Sequence, residues 1–306
     1  MGGQLPRPDD EEAPFPRRAL ETHLLDVAIV TYSGLPQLDA YDAPLLSALT
    51  ALGLDARPCI WDDPAMDWRT PQVAVIRTTW DSHLRRDAFV AWASKAGKLT
   101  RLHNPPDILR WNTHKAYLRE LEAKGIPFTP TVWVPHRGTV SLDSVMRERG
   151  WDTVVLKPTV SAGALKTYRF HRSELEAAQP MLDQLAAEGE VMVQPYLTRF
   201  ETEGERAYLF FDGAFSHAVR RPPGLKESPR GFPQPHLFEP IPEELRLAED
   251  VLAAVGQPLL YARVDVATDN EGCTRLQELE ATEPSLFLSL DPSAPERLAH
   301  AIARKL

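Results

Sequence analysis

The segment YARVDVATDNEGCTRLQELEA (residues 261–281) carries the pattern on which the fold prediction depends. Two apolar runs flank the turn-forming residues Asp269-Asn270-Glu271-Gly272, which predicts a β-hairpin. Glu278 and Glu280 lie two residues apart on the second run, so their side chains point to the same face of a sheet. If the two runs pair, Asp265 on the first run can lie beside them.

Three carboxylates on one sheet face repel one another unless a hard cation or basic side chains lie among them. Mg²⁺ held by a few carboxylates and by nucleotide phosphates is the natural partner of such a set. A solvated sheet face with alternating acids explains the same residues about equally well. From these residues alone both interpretations therefore stay open.

Basic residues elsewhere in the chain could form an anion pocket. Lys115 lies early in a predicted helix, Lys157 ends a predicted strand, and Arg220, Arg221 and Arg263 lie in later strands. A single lysine at a strand end is usually solvated, but lysines together with arginines can bind phosphate, which a guanidinium group contacts with two hydrogen bonds.

Two segments could complete a nucleotide site. PTVSAGALKTY (158–168) follows Lys157 and is small and polar around Ser161 and Gly163, as in a loop that covers phosphates. VQPYL (193–197) ends an apolar strand, where free backbone groups could contact an adenine edge. A plain loop and a plain strand end are the ordinary interpretations of these two segments.

The first hundred residues alternate strand and helix patterns. Strands are predicted at 24–32, 54–61 and 73–80, and helices at 42–52 and 87–97. Short connections between such elements predict a small doubly wound parallel sheet. No G-x-G-x-x-G follows the first strand, so the sequence does not support a dinucleotide site there.

The later part of the chain is predicted to mix helices with antiparallel strands. WNTHKAYLRELEAKG (111–125) is the clearest helix pattern, and it places Lys115 near the helix start. A second helix is predicted at 173–189, with Pro180 marking a kink or break. RAYLFFDGAFSHAV (206–219) predicts a hairpin that turns at Asp212-Gly213, and the Pro-rich stretch 222–242 predicts a long loop.

Composition excludes several classes of protein. The 306 residues carry a formal net charge of −9, which disfavours nucleic acid and anionic membranes as partners. No apolar run is long enough for a transmembrane helix, and residues 1–22 lack the apolar core of a secretory signal and predict a disordered arm. Two cysteines cannot form a disulfide framework and are compatible with a reducing cytoplasm.

Taken in order, these motifs resemble the ATP-grasp superfamily. The matching pieces are WNTHK, VVLKP with its small-residue loop, VQPYL, GER, and the ARVDV and QELEA strands, and the resemblance covers residues 24–306. SAG, FSHAVR and ELEATEPSLFL are similar to one branch, which contains the O-ureido-serine cyclo-ligase of D-cycloserine biosynthesis.

The resemblance implies an α/β ATP-grasp fold with an N-terminal doubly wound (pre-ATP-grasp) domain, a small α+β lid domain and a C-terminal α+β domain. The implied divisions are an arm at 1–22, the N-terminal domain at 24–103, a connecting helix at 104–127, the lid at 128–193 and the C-terminal part with the metal site at 194–306.

The resemblance also implies residue roles. The nucleotide-binding residues would be Lys115 and Lys157 on the phosphates, Ser161 and Gly163 in the covering loop, the hinge residues Gln194, Pro195, Tyr196 and Leu197, and Glu205 on the ribose with Glu201 and Glu203 as alternatives. Asp265, Glu278 and Glu280 would hold Mg²⁺. Arg263 would stabilise the transferred γ-phosphate, and Arg220 or Arg221 would bind the substrate carboxylate.

The implied activity is an ATP- and Mg²⁺-dependent ligase that activates an amino-acid-like carboxylate as an acyl phosphate and forms a C–N bond, within one molecule or between two. A small-molecule kinase and a nucleotide-binding regulator without turnover are the alternatives, and a homo-oligomer is compatible with the sequence. Two departures from the family are present, of which the first concerns metal binding and the charge near the phosphates and the second concerns the substrate. Many members have Asn where this chain has Glu280, and a GDFR-like segment is replaced by GLKESPRGF (224–232), where Lys226 or Arg230 would substitute.

Overall fold

The computed structural model describes residues 25–222 and 234–306. The predicted arm at 1–22 and part of the predicted loop, with Lys226 and Arg230, lie outside the described residues. No helix in the described part of the chain is both long and apolar enough to cross a membrane.

A four-stranded parallel sheet forms the first layer, in the strand order β2-β1-β3-β4. Its elements are β1 (Leu25–Thr31), α1 (Ala43–Ala51), β2 (Ala56–Ile60), β3 (Pro71–Thr78), α2 (Arg86–Ala96) and β4 (Arg101–His103). Helix α1 packs with Val27 and Ile29, whereas α2 packs with Ala28 and Val30, so alternate residues of β1 face opposite helices. This arrangement confirms the predicted doubly wound sheet.

The single helix predicted over 111–125 is wrong in its first part. The structure has two short helices, α3 (Pro106–Asn112) and α4 (Tyr117–Ala123), and Lys115 lies in the turn between them. The backbone N–H of Lys115 donates to the carbonyl of Thr159 at 2.8 Å instead of continuing the helix. A tertiary hydrogen bond therefore overrides the local helix pattern and directs Lys115 toward the second sheet.

A second, four-stranded antiparallel sheet has the order β5-β8-β6-β7. Its elements are β5 (Val132–Val134), α5 (Leu142–Arg149), β6 (Thr153–Pro158), β7 (Tyr168–His171), α6 (Leu175–Glu188) and β8 (Val191–Pro195). Helix α6 runs through Pro180 without a break, which corrects the prediction of a break there. Pro180 is the sixth residue of α6, so the carbonyl that loses its donor belongs to Glu176, an exposed residue that water can reach.

The third sheet has five strands in the order β11-β10-β9-β12-β13. Its elements are α7 (Phe200–Glu203), β9 (Glu205–Phe211), β10 (Ala214–Arg221), β11 (His236–Leu237), α8 (Pro242–Val255), β12 (Tyr261–Thr268), β13 (Thr274–Glu280) and α9 (Ala294–Ala303). The β9–β10 hairpin turns at Asp212-Gly213, both with positive φ, and the β12–β13 hairpin pairs as predicted.

Strand β13 lies at the edge of this sheet, and the α3–α4 segment covers that edge. Asn112 donates to the carbonyl of Leu279 at 2.7 Å and accepts from the N–H of Ala281 at 2.8 Å. The hydroxyl of Tyr117 both donates to the Leu279 carbonyl and accepts from its N–H, each at 2.9 Å. These side chains satisfy backbone groups that an edge strand leaves unpaired, and they fix β13 beside Lys115.

Candidate active site

Two adjoining cavities contain almost all of the predicted site residues. The larger has a volume of about 530 Å³ and lies between the second and third sheets. Of the predicted residues, it is lined by Lys115, Lys157, Ser161, Gly163, Gln194, Pro195, Tyr196, Leu197, Glu205, Arg221, Asp265, Glu278 and Glu280.

The smaller cavity, of about 360 Å³, opens toward the first sheet. Arg263 lines it, together with residues that sequence reasoning did not single out, namely Trp80, Ser82, His83, Asn112, Thr113, Thr282, Glu283 and Ser285. Seven of the described residues line both cavities, namely the segment Ser161–Gly163 and the four charged residues Lys115, Arg221, Glu278 and Glu280, whose side chains form a shared wall. A group bound in one cavity therefore meets a group bound in the other at these charged side chains.

The hairpin register brings the three predicted carboxylates together. Asp265 lies directly opposite Glu278, and Arg263 lies opposite Glu280. Arg263 donates to Asp265 through Nε at 2.9 Å and through Nη2 at 2.8 Å, and Nη2 also pairs with Glu280. Asp265 and Arg263 are both almost fully buried, so this ion pair is shielded from solvent screening.

The carboxylates differ in their electrostatic surroundings. Burial raises the pKa of Glu205 to about 7 and also raises the pKa of Glu280, which has Glu278 and Asp265 as neighbours. Burial acts the same way on Glu278, but the charges of Lys115 and Lys157 outweigh it and lower the pKa of Glu278. Glu278 is therefore the acid that the surrounding lysines hold in its charged form.

The oxygen donors of this set fit a hard divalent cation in their chemistry. The two cavities together are lined by five carboxylates and four lysine or arginine side chains, so the acids are in excess. In the described part of the chain, however, no three His, Cys, Asp or Glu side chains converge as a ready metal site. The acids are paired with basic groups instead, and a bound cation would have to replace some of those pairs.

The two predicted lysines have different partners. Lys115 pairs with Glu278 and donates to the carbonyl of Ser161 at 3.1 Å. Burial lowers the pKa of Lys115, but the charge and hydrogen bond of Glu278, together with the charges of Glu280 and Glu283, outweigh burial and raise this pKa overall. Lys157 has no ion pair among the described residues, and burial together with nearby Lys115 lowers its pKa to about 8. An anionic ligand is the partner that this half-buried ammonium group lacks.

The predicted hinge lies along one wall of the larger cavity. Strand β8 ends at Pro195, and the Gln194 side chain donates to Thr131 at 2.8 Å. The N–H of Tyr196 donates to the carbonyl of Thr153 at 2.8 Å, and its carbonyl accepts from Asn270 at 3.1 Å. Both backbone groups of Tyr196 are already hydrogen-bonded within the protein. Backbone hydrogen bonds to a base would therefore come from the neighbouring residues Pro195 and Leu197.

The structure distinguishes between the alternatives left by the sequence. Glu205 lies in the larger cavity and pairs with Arg221 at 2.8 Å, whereas Glu201 and Glu203 lie on α7 and bond Arg169 and Thr268. Arg221 also donates to Asp265 at 3.1 Å. Arg220 points away from Arg221, as adjacent strand residues do, and its Nε donates to the carbonyl of Glu203. Geometry therefore favours Glu205 and Arg221.

The sequence predicted no role for the walls of the smaller cavity. Trp80, Ser82 and His83 follow β3, and Glu283 and Ser285 follow β13. Two signals were available: Glu283 and Ser285 lie within the branch motif ELEATEPSLFL, and polar residues that follow strand ends commonly line sites.

Comparison with known proteins defines the class first. The crystal structure of D-cycloserine synthetase DcsG superposes with a TM-score of 0.83 at 30% identity, covering 92% of this chain and 99% of that one. The ATP-grasp ligase PsnB, solved with a phosphomimetic variant of its minimal precursor, Mg and ADP, superposes with a TM-score of 0.66 at 16% identity, covering 92% and 99%. The fold predicted from the sequence is confirmed, and it is that of ATP-grasp ligases.

The sequence comparison narrows the class to a family. Residues 27–104 match the model for the N-terminal domain of D-cycloserine synthetase DcsG. The cycloserine biosynthesis protein DcsG of Streptomyces lavendulae is 32% identical over 298 residues, covering 92% of this chain and 98% of that protein. The chain therefore belongs to the DcsG family of ATP-grasp ligases, which form carbon–nitrogen bonds at the expense of ATP. Membership favours the ligase over the kinase and the regulator without turnover.

Proposed function

We propose that this enzyme uses ATP and Mg²⁺ to activate the carboxylate of a small amino-acid-like substrate as an acyl phosphate, which a nitrogen of the same molecule then attacks to close a ring. The observation that carries the proposal is the shared wall of the two cavities. A nucleotide in the larger cavity and a carboxylate in the smaller one would meet at Lys115, Arg221, Glu278 and Glu280. The names of the DcsG relatives support a cycloserine-type product.

The nucleotide would occupy the larger cavity in one orientation. The base would lie at the hinge, where the Pro195 carbonyl and the Leu197 N–H are the neighbours of the engaged Tyr196. Glu205 would accept from the ribose, and the phosphates would extend to Lys157 and Lys115 under the Ser161–Gly163 loop. Lys157 would gain the anionic partner that it lacks.

Asp265, Glu278 and Glu280 are the residues that would hold Mg²⁺, which supplies charge neutralisation at the phosphates when bound. Arg221 would orient the substrate carboxylate at the shared wall. One carboxylate oxygen attacks the γ-phosphorus and ADP leaves with the electrons of the broken P–O bond. The substrate nitrogen then attacks the acyl carbon, inorganic phosphate leaves, and the nitrogen loses a proton. With O-ureido-serine the ring nitrogen still carries the carbamoyl group, which water must then remove as carbon dioxide and ammonia to give a cycloserine. Arg263 stabilises the negative charge that develops on the transferred group.

A panel assay tests this function. The enzyme would be incubated with ATP, Mg²⁺ and single amino acids, with O-ureido-serine among them, and both ADP and free phosphate would be measured. The proposal predicts equal release of ADP and phosphate with O-ureido-serine and no added amine. ADP without free phosphate, with a stable phosphorylated product, would instead identify a kinase. Turnover that requires a second, amine-bearing substrate would contradict ring closure.

A further inference from the structure

Glu283 is the acid of the two cavities that lacks a basic partner among the described residues. The other four acids are ion-paired, Glu205 and Asp265 with Arg221, Glu278 with Lys115 and Glu280 with Arg263. Glu283 instead accepts a hydrogen bond from the Ser82 hydroxyl at 2.7 Å through Oε1. Its second oxygen, Oε2, is buried and has no hydrogen-bond partner.

Two further residues that line the same cavity also carry an unpartnered atom. Ser285 Oγ and His83 Nδ1 are buried without a hydrogen-bond partner, so three of the eight such side-chain atoms in the described structure belong to residues that line this cavity. Buried polar atoms are nearly always satisfied in native proteins, and removal from water without a partner is costly. A cluster of such atoms around one cavity therefore indicates groups that a ligand completes.

The chemistry of the cluster specifies the ligand group. A carboxylate oxygen and a hydroxyl oxygen accept hydrogen bonds, and an imidazole nitrogen can accept one as well. An ammonium group offers three donors and the positive charge that Glu283 lacks. We propose that Glu283, with Ser285 and His83, binds the α-ammonium group of the substrate and so selects amino acids over carboxylates without an amino group. This inference rests on the proposed function, because it places the substrate in the smaller cavity.

The surrounding structure holds Glu283 in place for such a role. Trp80 Nε1 donates to the Glu283 carbonyl at 3.2 Å, and Arg77, fully buried against Asp42, donates to the carbonyl of Pro284. Burial raises the pKa of Glu283 to about 8, against the opposing effect of the Ser82 hydrogen bond. A cationic ligand group would supply the countercharge that favours the ionised carboxylate.

A pair of substrates and a pair of variants test the proposal. The full-length enzyme would be assayed with O-ureido-serine and with 3-(ureidooxy)propanoate, which is the same molecule without its amino group. For the wild type we expect kcat/KM to favour the amino acid by roughly 30-fold, the range of hydrogen bonds to charged groups. For Glu283→Gln this ratio should fall close to one, mainly through KM. Binding of a non-hydrolysable ATP analogue, measured by calorimetry, reports whether the variant is folded.

Glu271→Gln is the matched control, because Glu271 lies in the β12–β13 turn and lines neither cavity. It should keep the wild-type ratio, whereas Ser285→Ala should lower the ratio in part. A Glu283→Gln enzyme that binds the nucleotide analogue and keeps the 30-fold preference would overturn the inference. If the wild-type enzyme uses both compounds equally well, the role of Glu283 is overturned but the proposed function stands. If it uses neither compound, the proposed substrate is overturned as well.

Discussion

At the residue scale, each cavity has one ionisable side chain without an ion-pair partner among the described residues. Lys157 in the larger cavity lacks an anion, and Glu283 in the smaller cavity, whose pKa is raised to about 8, lacks a cation. Ionisable groups are costly to remove from water without a partner, and functional sites are where proteins retain them. A phosphate at Lys157 and an ammonium at Glu283 would neutralise both, which agrees with a nucleotide and an amino acid bound side by side.

Replacement of Lys157 by Ala should weaken ATP binding by roughly 10- to 100-fold, because a charge-assisted contact to phosphate is lost. Calorimetry with a non-hydrolysable ATP analogue measures the effect. Lys98→Ala is the control, because Lys98 is exposed and lies between α2 and β4, away from both cavities.

The affinity for ATP should also depend on pH. Since the pKa of Lys157 is about 8, the wild-type affinity should fall as the pH rises from 7 to 9. Lys157→Arg stays charged and should show a flatter profile; an unchanged affinity in Lys157→Ala would remove Lys157 from the site.

Replacement of Glu278 by Gln should lower kcat by roughly 100-fold or more, as other losses of electrostatic stabilisation do, and should leave the fold intact. Glu278 faces both cavities and is the acid that Lys115 and Lys157 keep charged. ADP release across a magnesium titration measures the effect, with thermal melting as the fold control. Full activity of Glu278→Gln in magnesium would show that the metal assignment is wrong.

At the element scale, the site depends on the covered edge of β13. Asn112 and Tyr117 bond the backbone of this strand, and Asn104, which is fully buried, bonds the carbonyls of Tyr261 and Ala281. The α3–α4 segment is thereby tied to the two strands that carry Asp265, Glu278 and Glu280. The same segment carries Lys115, so these hydrogen bonds set the position of a lysine against its acids.

Tyr117→Phe should lower the free energy of unfolding by about 1–3 kcal/mol, because the Leu279 N–H and carbonyl lose a buried partner. Urea denaturation measures the change, and Tyr41→Phe, whose ring packs edge-on against Phe287, is the control. A loss as small as that of the control would show that the hydroxyl does not hold β13.

Elements with a strong local pattern could be predicted from the sequence, and those decided by tertiary contacts could not. The β12–β13 hairpin follows from the alternation of apolar and polar residues and from the turn residues. The register, in which Asp265 lies opposite Glu278, confirms the hairpin and the proximity of these two carboxylates. The break at Lys115 depends on a hydrogen bond to Thr159, a residue 44 positions away in the numbering, which no local window contains. Glu283 was missed for a related reason, since only the fold brings it to Ser82.

At the scale of the whole molecule, buried polar contacts tie the third sheet to the loop that follows β13, and they affect stability. His217 on β10 is 5% exposed and bonds the carbonyl of Leu286 at 3.0 Å and the hydroxyl of Ser216 at 2.9 Å. Burial lowers its pKa from 6.5 to about 4, so the folded state favours the neutral imidazole. The unfolded chain takes up a proton at higher pH than the folded chain does.

The stability contribution of His217 should therefore be complete above pH 6.5 and be lost as the pH falls toward 4, by up to about 3 kcal/mol. The measurement is the free energy of unfolding between pH 4 and 8 for the wild type and His217→Gln. The difference between the two should shrink as the pH falls. A difference that is constant with pH would show that His217 titrates alike in both states.

The central claim is that acids of two neighbouring strands and lysines from the opposite wall enclose a magnesium–triphosphate group in the larger cavity. A crystal structure of the enzyme with Mg²⁺ and a non-hydrolysable ATP analogue tests it most directly. The account predicts phosphates within hydrogen-bond distance of Lys115 and Lys157, and Mg²⁺ bound by oxygens of Asp265, Glu278 and Glu280. A nucleotide bound elsewhere, with Asp265 still paired to Arg263 and no cation at the hairpin, would contradict it.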